Sequence, residues 1–383
     1  MSFTQYILFI LQKTGRSLQA ALNTFFATMG EEAGDYSKQA FSKGRLRIKP
    51  EAIYELFTLT AREFYSQAQY ETLLGYRVLA IDGTKLNLPN TPELAKEFGV
   101  QSSKGEPQVQ ALVSGVYDVL NKVMVDVCIS SCKSDERKHA EELIRRLHKD
   151  TQAKDLLTMD RGYPSAALLY QPESNCQAYV IRCSRTFVKG MRCTGNDCVL
   201  EHRFAKMDKP LKLRVVRVTL PKGTEEILIT NLSADEVSVQ QLCQIYKLRW
   251  GIETNYDCIK NKLCVENFSG VGKIAVLQDF YATVFLWNLT GIMAFDLHDE
   301  IESAHRSEHN KHEYRLNISM TISALKERVV ELVMCENQRK SGRILRRICK
   351  ALQKSVVAVN NNRTFPRRRK HQSLKFHNNA KAL

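Results

Sequence analysis

The chain has 383 residues, 44% of them hydrophobic and 25% charged, with a formal net charge of +15. That length allows two or three domains, or one large domain with insertions, and the apolar content is ordinary for a globular protein. The charge is concentrated at one end: residues 337–383 hold fourteen Lys or Arg and no Asp or Glu, which leaves the first 336 residues close to neutral. Such a tail suits contacts with a phosphate backbone, or serves only as a solubilising end.

Residues 1–70 read as helical. FTQYILFILQ (Phe3 to Gln12) has no basic residue before it and no small-residue cleavage site, so it reads as an amphipathic helix and not a signal peptide. KQAFSKGRLRIK (Lys38 to Lys49) carries five bases and no acid where two helices meet. It is a DNA-contacting element or a solvated turn.

The texture then changes. YRVLAIDGTKLNL (Tyr76 to Leu88) alternates like a strand and ends before Pro89. Two further strands, around residues 109–120 and 121–132, are joined by a short turn at Leu120 and Asn121. SDERKHAEELIRRLHK is a helix capped by Ser134 or Asp135. DLLTMD is a short buried strand ending at Asp160, Pro164 opens a helix at its first turn, and AYVIRCS is a fifth strand. The order is three strands, helix, strand, helix, strand, an α/β arrangement. Residues 184–234 add strands at 211–220 and 225–232 and read as a β-rich insertion. Val276 to Leu297 is apolar but contains Gln278, Asp279, Asn288 and Asp296, so it reads as a buried helix and not a membrane span. Residues 301–336 read as amphipathic helix, and the basic end as extended.

YKLRWGIETNYDCIK (Tyr246 to Lys260) precedes the apolar helix. On a helix of about 100° per residue, Tyr246, Arg249, Glu253 and Lys260 fall in one stripe. Ile245, Leu248, Ile252, Tyr256, Ile259 and Leu263 form an apolar stripe beside it. Trp250 lies off the polar stripe and is assigned to packing. The stripe is either a solvated face with ion pairs or the edge of a site.

Two further carboxylates favour a site. Asp82 lies in the first strand, and Asp160 ends the fourth. In this strand order those strands are neighbours, and their acids converge with Glu253 at one sheet edge. Three carboxylates in one place call for a neutralising cation, for which Mg2+ has the matching preference for hard oxygens. Taken singly, Asp82-Gly83 also reads as a turn, and Asp160-Arg161-Gly162 as a strand end with a surface ion pair.

IDGT at 81–84, DRGYPS at 160–165 and Tyr246-x2-Arg249-x3-Glu253-x6-Lys260 together resemble the DDE transposases of bacterial insertion sequences, the insertion-sequence-four family in particular. TNL at 230–232, KLRWGIE at 247–253 and DERKHAEEL after the third strand share the resemblance, which covers about residues 40–300. It implies a ribonuclease-H-like catalytic domain formed by 71–183 and 235–300, with 184–234 as its β-rich insertion. Residues 1–70 would be a helical DNA-binding region, and 301–383 a helical region with a basic C-terminal tail. It implies cut-and-paste movement of a DNA element. Asp82, Asp160 and Glu253 would be the catalytic residues and would ligate two Mg2+ ions, with Mn2+ as a substitute; the two ions would lie about 3.5–4 Å apart. Tyr246, Arg249 and Lys260 would bind DNA phosphates. The implied partners are double-stranded DNA, at element ends and target, and a second copy of the chain as a homodimer on DNA; the implied location is bacterial, cytoplasmic and nucleoid-associated. An aromatic in the insertion, Phe187, is a candidate to stack on a flipped base. A nuclease that cuts without joining, a catalytically silent DNA-binding protein derived from a transposase, and a zinc-binding regulator are the alternatives. Against the last, Cys193 and Cys198 have no second cysteine pair at metal spacing, and the eleven cysteines read as reduced thiols.

Overall fold

The computed structural model describes residues 1–12, 17–30, 36–67, 69–102, 106–147, 152–188, 191, 195–205, 207, 209–219, 223–305 and 313–359. The basic end from 360 to 383, expected to be extended, lies outside the described residues. Four helices open the chain: α1 (Phe3–Gln12), α2 (Leu18–Thr28), α3 (Lys38–Arg45) and α4 (Pro50–Gln67). Then come β1 (Tyr76–Asn87), α5 (Pro92–Phe98), β2 (Val100–Gln101), β3 (Gln108–Asp118), β4 (Val123–Ser131), α6 (Glu136–Arg146), β5 (Lys154–Met159), α7 (Ala166–Ser174) and β6 (Ala178–Cys183). Three strands follow, β7 (Asp197–His202), β8 (Leu211–Thr219) and β9 (Glu225–Thr230). The remainder is α8 (Val239–Leu248), α9 (Trp250–Asn261), α10 (Lys273–Asp296), α11 (His298–His305), β10 (Glu313–Leu316), α12 (Ile318–Val333), α13 (Gln338–Gln353) and β11 (Val356–Val359).

The expected order of three strands, helix, strand, helix, strand is present as β1, β3, β4, α6, β5, α7, β6, with α5 and the two-residue β2 inserted after β1. One mixed sheet runs β3-β1-β5-β6-β9-β8-β7, with β2 and β4 both paired to β3. β1, β5 and β6 are parallel to one another, and the remaining pairings are antiparallel. The strands of 184–234 therefore extend the main sheet through β6 and β9 instead of forming a sheet of their own.

Alternation along β1 explains the two layers. Val78 and Ala80 face the core beneath α4, α8, α9 and α10, whereas Leu79 and Ile81 face the core beneath α6 and α7. β5 repeats the pattern, with Leu156 on the first side and Leu157 and Met159 on the second. Both faces are covered, so these strands read as nearly continuous apolar runs.

α10 is the buried helix that its polar residues suggest. Three of those residues have core partners: Gln278 and Asp279 receive Arg45 at 2.8 and 2.9 Å, and Asn288 bonds both backbone groups of Met124. No single helix among the described residues is long and apolar enough to cross a membrane.

Several expectations are corrected. α1 is not amphipathic in use: Tyr6 through Leu11 are all buried, because helices pack on more than one of its sides. Arg45, one of the five bases at the helix junction, is 4% exposed and paired with Asp279, so it faces the core and no phosphate. Lys38, Lys43, Arg47 and Lys49 are exposed. Pro164 lies before the cap of α7, which is Ser165, whose side chain accepts from the Leu168 amide. The region 301–336 is not all helix, because β10 pairs with β11 beyond α13. Nine cysteines among the described residues are free, whereas Cys198 is disulfide-bonded, so the expectation of reduced thiols fails there.

The Arg45–Asp279 pair ties the N-terminal helices to α10, with Ser269 Oγ bonded to both partners. Removing one member leaves the other charged and buried, which typically costs about 3–5 kcal/mol. We therefore expect Arg45→Ala to lower unfolding stability by that order in urea titrations, and Arg47→Ala to change it little. Equal effects from the two would contradict the packing described.

Candidate active site

β5 stops short of β1. Their pairing ends at Ile81 against Met159, so Asp82 and Asp160 stand next to each other just past the last paired residues. From Asp82 onward β1 has no strand on that side, although β3 still pairs with it on the other. By alternation Asp82 shares a face with Val78 and Ala80, and Asp160 with Leu156, so both turn toward the α8–α9 layer.

α9 takes the place of the missing strand. Tyr256 donates to the backbone oxygen of Asp82 at 2.8 Å, and Lys260 Nζ donates to Lys85 O at 2.8 Å and Thr84 Oγ1 at 2.6 Å. Just past α9, Glu266 accepts from the Asn87 amide at 2.9 Å. Lys85 O and the Asn87 amide, which lie on the side that β5 leaves open, are thereby satisfied by side chains, as burial requires, whereas the Asp82 oxygen lies on the β3 side and takes the Tyr256 hydroxyl as a further donor. The apolar stripe docks as expected, with Ile245, Ile252, Tyr256, Ile259 and Leu263 buried. Gly115, opposite Asp82, makes room for this contact, since a Cβ there would lie 3.1 Å from the Tyr256 hydroxyl.

The polar stripe meets the acids. Tyr246 donates to Asp160 Oδ1 at 3.2 Å, and Arg249 donates to Glu253 Oε1 at 2.9 Å. The structure thus brings Asp82, Asp160, Glu253, Tyr246 and Arg249 to one sheet edge, with Lys260 one step along β1. Burial pushes the Asp82 carboxyl up to about 6, helped by the charges of Glu253 and Glu136 and opposed by Arg249. Burial also raises the Tyr246 hydroxyl to about 12, which keeps it a proton donor toward Asp160. Lys260 is shifted down by burial. A buried carboxylate beside other acids, with its pKa raised, is a pattern that clusters at functional sites.

Some details differ from expectation. The single predicted helix is two, α8 and α9, meeting at Arg249, which caps both. Arg249 is 3% exposed and engaged with Glu253, not turned outward, although its Nε has no hydrogen-bond partner. Trp250 is 49% exposed and not packed in the core, and the Arg249 guanidinium lies 5.5 Å from its ring centroid. Asp82-Gly83 is not a turn, since both residues lie inside β1. Phe187 is half-buried against Phe204, with centroids 5.8 Å apart. Sequence reading missed Glu136 and Tyr163, which come from the other layer of the sheet. Their acid and hydroxyl were visible in DERKHAEEL and DRGYPS, but nothing in the spacing joined them to Asp82. Among the described residues, no three His, Cys, Asp or Glu side chains already surround one point closely enough to hold a metal ion.

Comparison with known proteins matches residues 73–289 to the family described as transposase DDE domain. The transposase InsG for insertion sequence element IS4 of Escherichia coli (strain K12) is 30% identical over 132 residues. That match covers 34% of this chain and 29% of the relative's length. Among solved structures, a piggyBac transposase synaptic complex with hairpin DNA aligns with 90% of this chain and 75% of its own. The TM-score is 0.47 and the identity 10%.

Because the folded Asp82 carboxyl titrates near 6 and its ordinary value is 3.8, the folded chain holds that proton more tightly than the unfolded chain. The resulting stability is complete below about pH 4 and is lost as pH rises to about 6. Asp82→Asn should flatten that loss and raise metal-free stability at neutral pH, by on the order of 2 kcal/mol. Urea unfolding across that pH range tests this; an unchanged pH profile would contradict it.

Proposed function

Because the chain belongs to the transposase DDE domain family, we propose that it is a DNA transposase of the insertion-sequence-four kind that binds element ends, cleaves them and joins them to a target. The observation that carries this reading is the meeting of Asp82, Asp160 and Glu253, from three separate elements, at the edge where β1 outruns β5. The strands β4-β3-β1-β5-β6 with α6 and α7 are read as a ribonuclease-H-like core; its support is the order and direction of those strands. The DNA-binding role of residues 1–70 rests on the exposed bases Lys38, Lys43, Arg47 and Lys49.

The residues suit a divalent cation in kind. Their donors are hard carboxylate oxygens, and burial and neighbouring acids raise Asp82's affinity for a proton, a shift that a cation would reverse. Asp82, Asp160 and Glu253 would hold Mg2+, or Mn2+ in its place. When bound, such ions activate an attacking oxygen and stabilise the leaving one in phosphodiester displacement.

The protein's own groups do the rest. Arg249 neutralises Glu253 until it is needed elsewhere, and once released from Glu253 its guanidinium can take a phosphate oxygen. Tyr246 fixes Asp160 through its hydroxyl. Lys260 anchors α9 on β1 and sets a positive charge beside the open edge, where a DNA strand would lie. α13 presents Arg339, Lys340, Arg346 and Arg347 on its exposed face, opposite Ile344, Ile348 and Leu352 in the core. With the basic end, it would supply sequence-independent affinity for double-stranded DNA. Cutting two ends together calls for a homodimer on DNA.

Asp82→Ala, Asp160→Ala and Glu253→Ala should each abolish cleavage of end-bearing DNA in Mg2+ while end binding persists, as read by gel cleavage and gel shift. Normal cutting by any one variant removes that residue from the site. Arg249→Ala should slow single-turnover cleavage about ten- to a hundred-fold, the worth of one charge-assisted bond to a phosphate. Lys262→Ala, which is exposed at the end of α9, should cut normally. Truncation after residue 360 should flatten the dependence of DNA affinity on salt, by about 0.9 in log–log slope for each phosphate that the basic end neutralises.

A further inference from the structure

The DERKHAEEL segment forms the start of α6, on the sheet face opposite α9. Its first helical residue, Glu136, reaches the same edge. A Cβ placed on Gly83 would lie 2.9 Å from Glu136 Cδ and 3.1 Å from its Oε1, so the Glu136 carboxyl rests over Gly83, directly beside Asp82. Gly83 does not need to be glycine for its backbone, which is in a regular strand. What it provides is space, through which an acid from the far layer reaches the edge.

The helix is pinned in that position. His139 bonds Ser114 Oγ at 2.9 Å and Ser130 Oγ at 2.7 Å, and Ser114 is the cross-strand neighbour of Gly83. Arg137 Nε donates to Gly162 O at 2.9 Å, holding the start of α6 against the loop after Asp160. Glu136 itself is exposed and stands in the first turn, where the helix dipole favours a negative charge.

A second observation is a buried polar group that points among the acids. Tyr163 is 2% exposed, yet its hydroxyl has no hydrogen-bond partner. It is surrounded by Asp82, Glu136, Asp160 and Tyr256, whose charges add to burial in raising it. A buried hydroxyl left unpaired among carboxylates is costly, unless something that carries oxygen ligands, such as a hydrated cation, occupies the gap.

We propose that Glu136 is a fourth carboxylate of the active site, holding a divalent cation or its water from the α6 side, with Gly83 as the gap that admits it and Tyr163 as donor to that water. This rests on the active-site reading of Asp82, Asp160 and Glu253. Glu136 faces outward where those three face α9, so it would govern how a metal is held at the mouth of the site.

Titration of the metal-free full chain with Mn2+ alone, followed by calorimetry and by the spin-resonance signal of free Mn2+, tests this without DNA. Glu136→Gln should weaken Mn2+ binding by about tenfold or more or remove one of the bound ions, and Glu136→Asp should lose less. Gly83→Ala should repeat the loss, because its methyl displaces the Glu136 carboxyl; the melting profile by circular dichroism checks that each variant is folded. Adding Gly83→Ala to Glu136→Gln should cost little more. Asp82→Asn separates the two readings. If it abolishes Mn2+ binding while folded Glu136→Gln binds as the parent does, the role of Glu136 is overturned and the active site stands. If Asp82→Asn also binds as the parent does, both fail.

Discussion

The parallel pairing of β1 with β5, which ends at Ile81 against Met159, determines where every polar group of the site can lie. Because β1 runs beyond that point to Asn87, its edge has backbone groups with no strand to meet. α9 supplies them with Lys260, and the following loop with Glu266, while Tyr256 bonds the Asp82 oxygen on the β3 side. That substitution of a helix for a strand is what carries Glu253 to Asp82 and Asp160. A longer β5 would close the edge, satisfy the backbone by ladder bonds and take the place that Lys260 and Glu266 now hold.

The electrostatics follow from the same geometry. Carboxylates arriving from β1, the end of β5, α9 and α6 leave Asp82 short of positive charge, and burial adds to its cost of ionisation. The cation at hand is Arg249, fixed where α8 meets α9 and held by its ion pair to Glu253. On the proposed reading it stands in for metal until metal and phosphate arrive, and its unpaired Nε is the sign that its bonding is incomplete. The family membership and the meeting of these acids at one edge are the two supports of the proposed reading.

Much of this was legible in the sequence, because strand alternation and helix spacing are local. The alternation of β1, the position of Asp160 at a strand end and the apolar stripe of α9 all follow from periods of two and of about 3.6 residues. What a base faces is not local. Arg45 looked like a phosphate-facing charge but found a carboxylate on another helix, and Arg249 is held by Glu253 one turn on, information that spacing does not hold. Gly83 looked like a turn because glycine is commonest there, whereas its role is the absence of a side chain beneath Glu136. Short pieces such as β10 and β11, of four residues each, carry too little pattern to separate them from helix ends.

The central claim is that Asp82, Asp160 and Glu253 are ligands of one metal centre. A crystal of the full chain soaked in Mn2+, examined for anomalous scattering, tests it most directly. The account predicts a peak in contact with all three carboxylates, with the Arg249 guanidinium moved off Glu253. A map in which Arg249 stays on Glu253 and no anomalous peak lies between the three acids would contradict it.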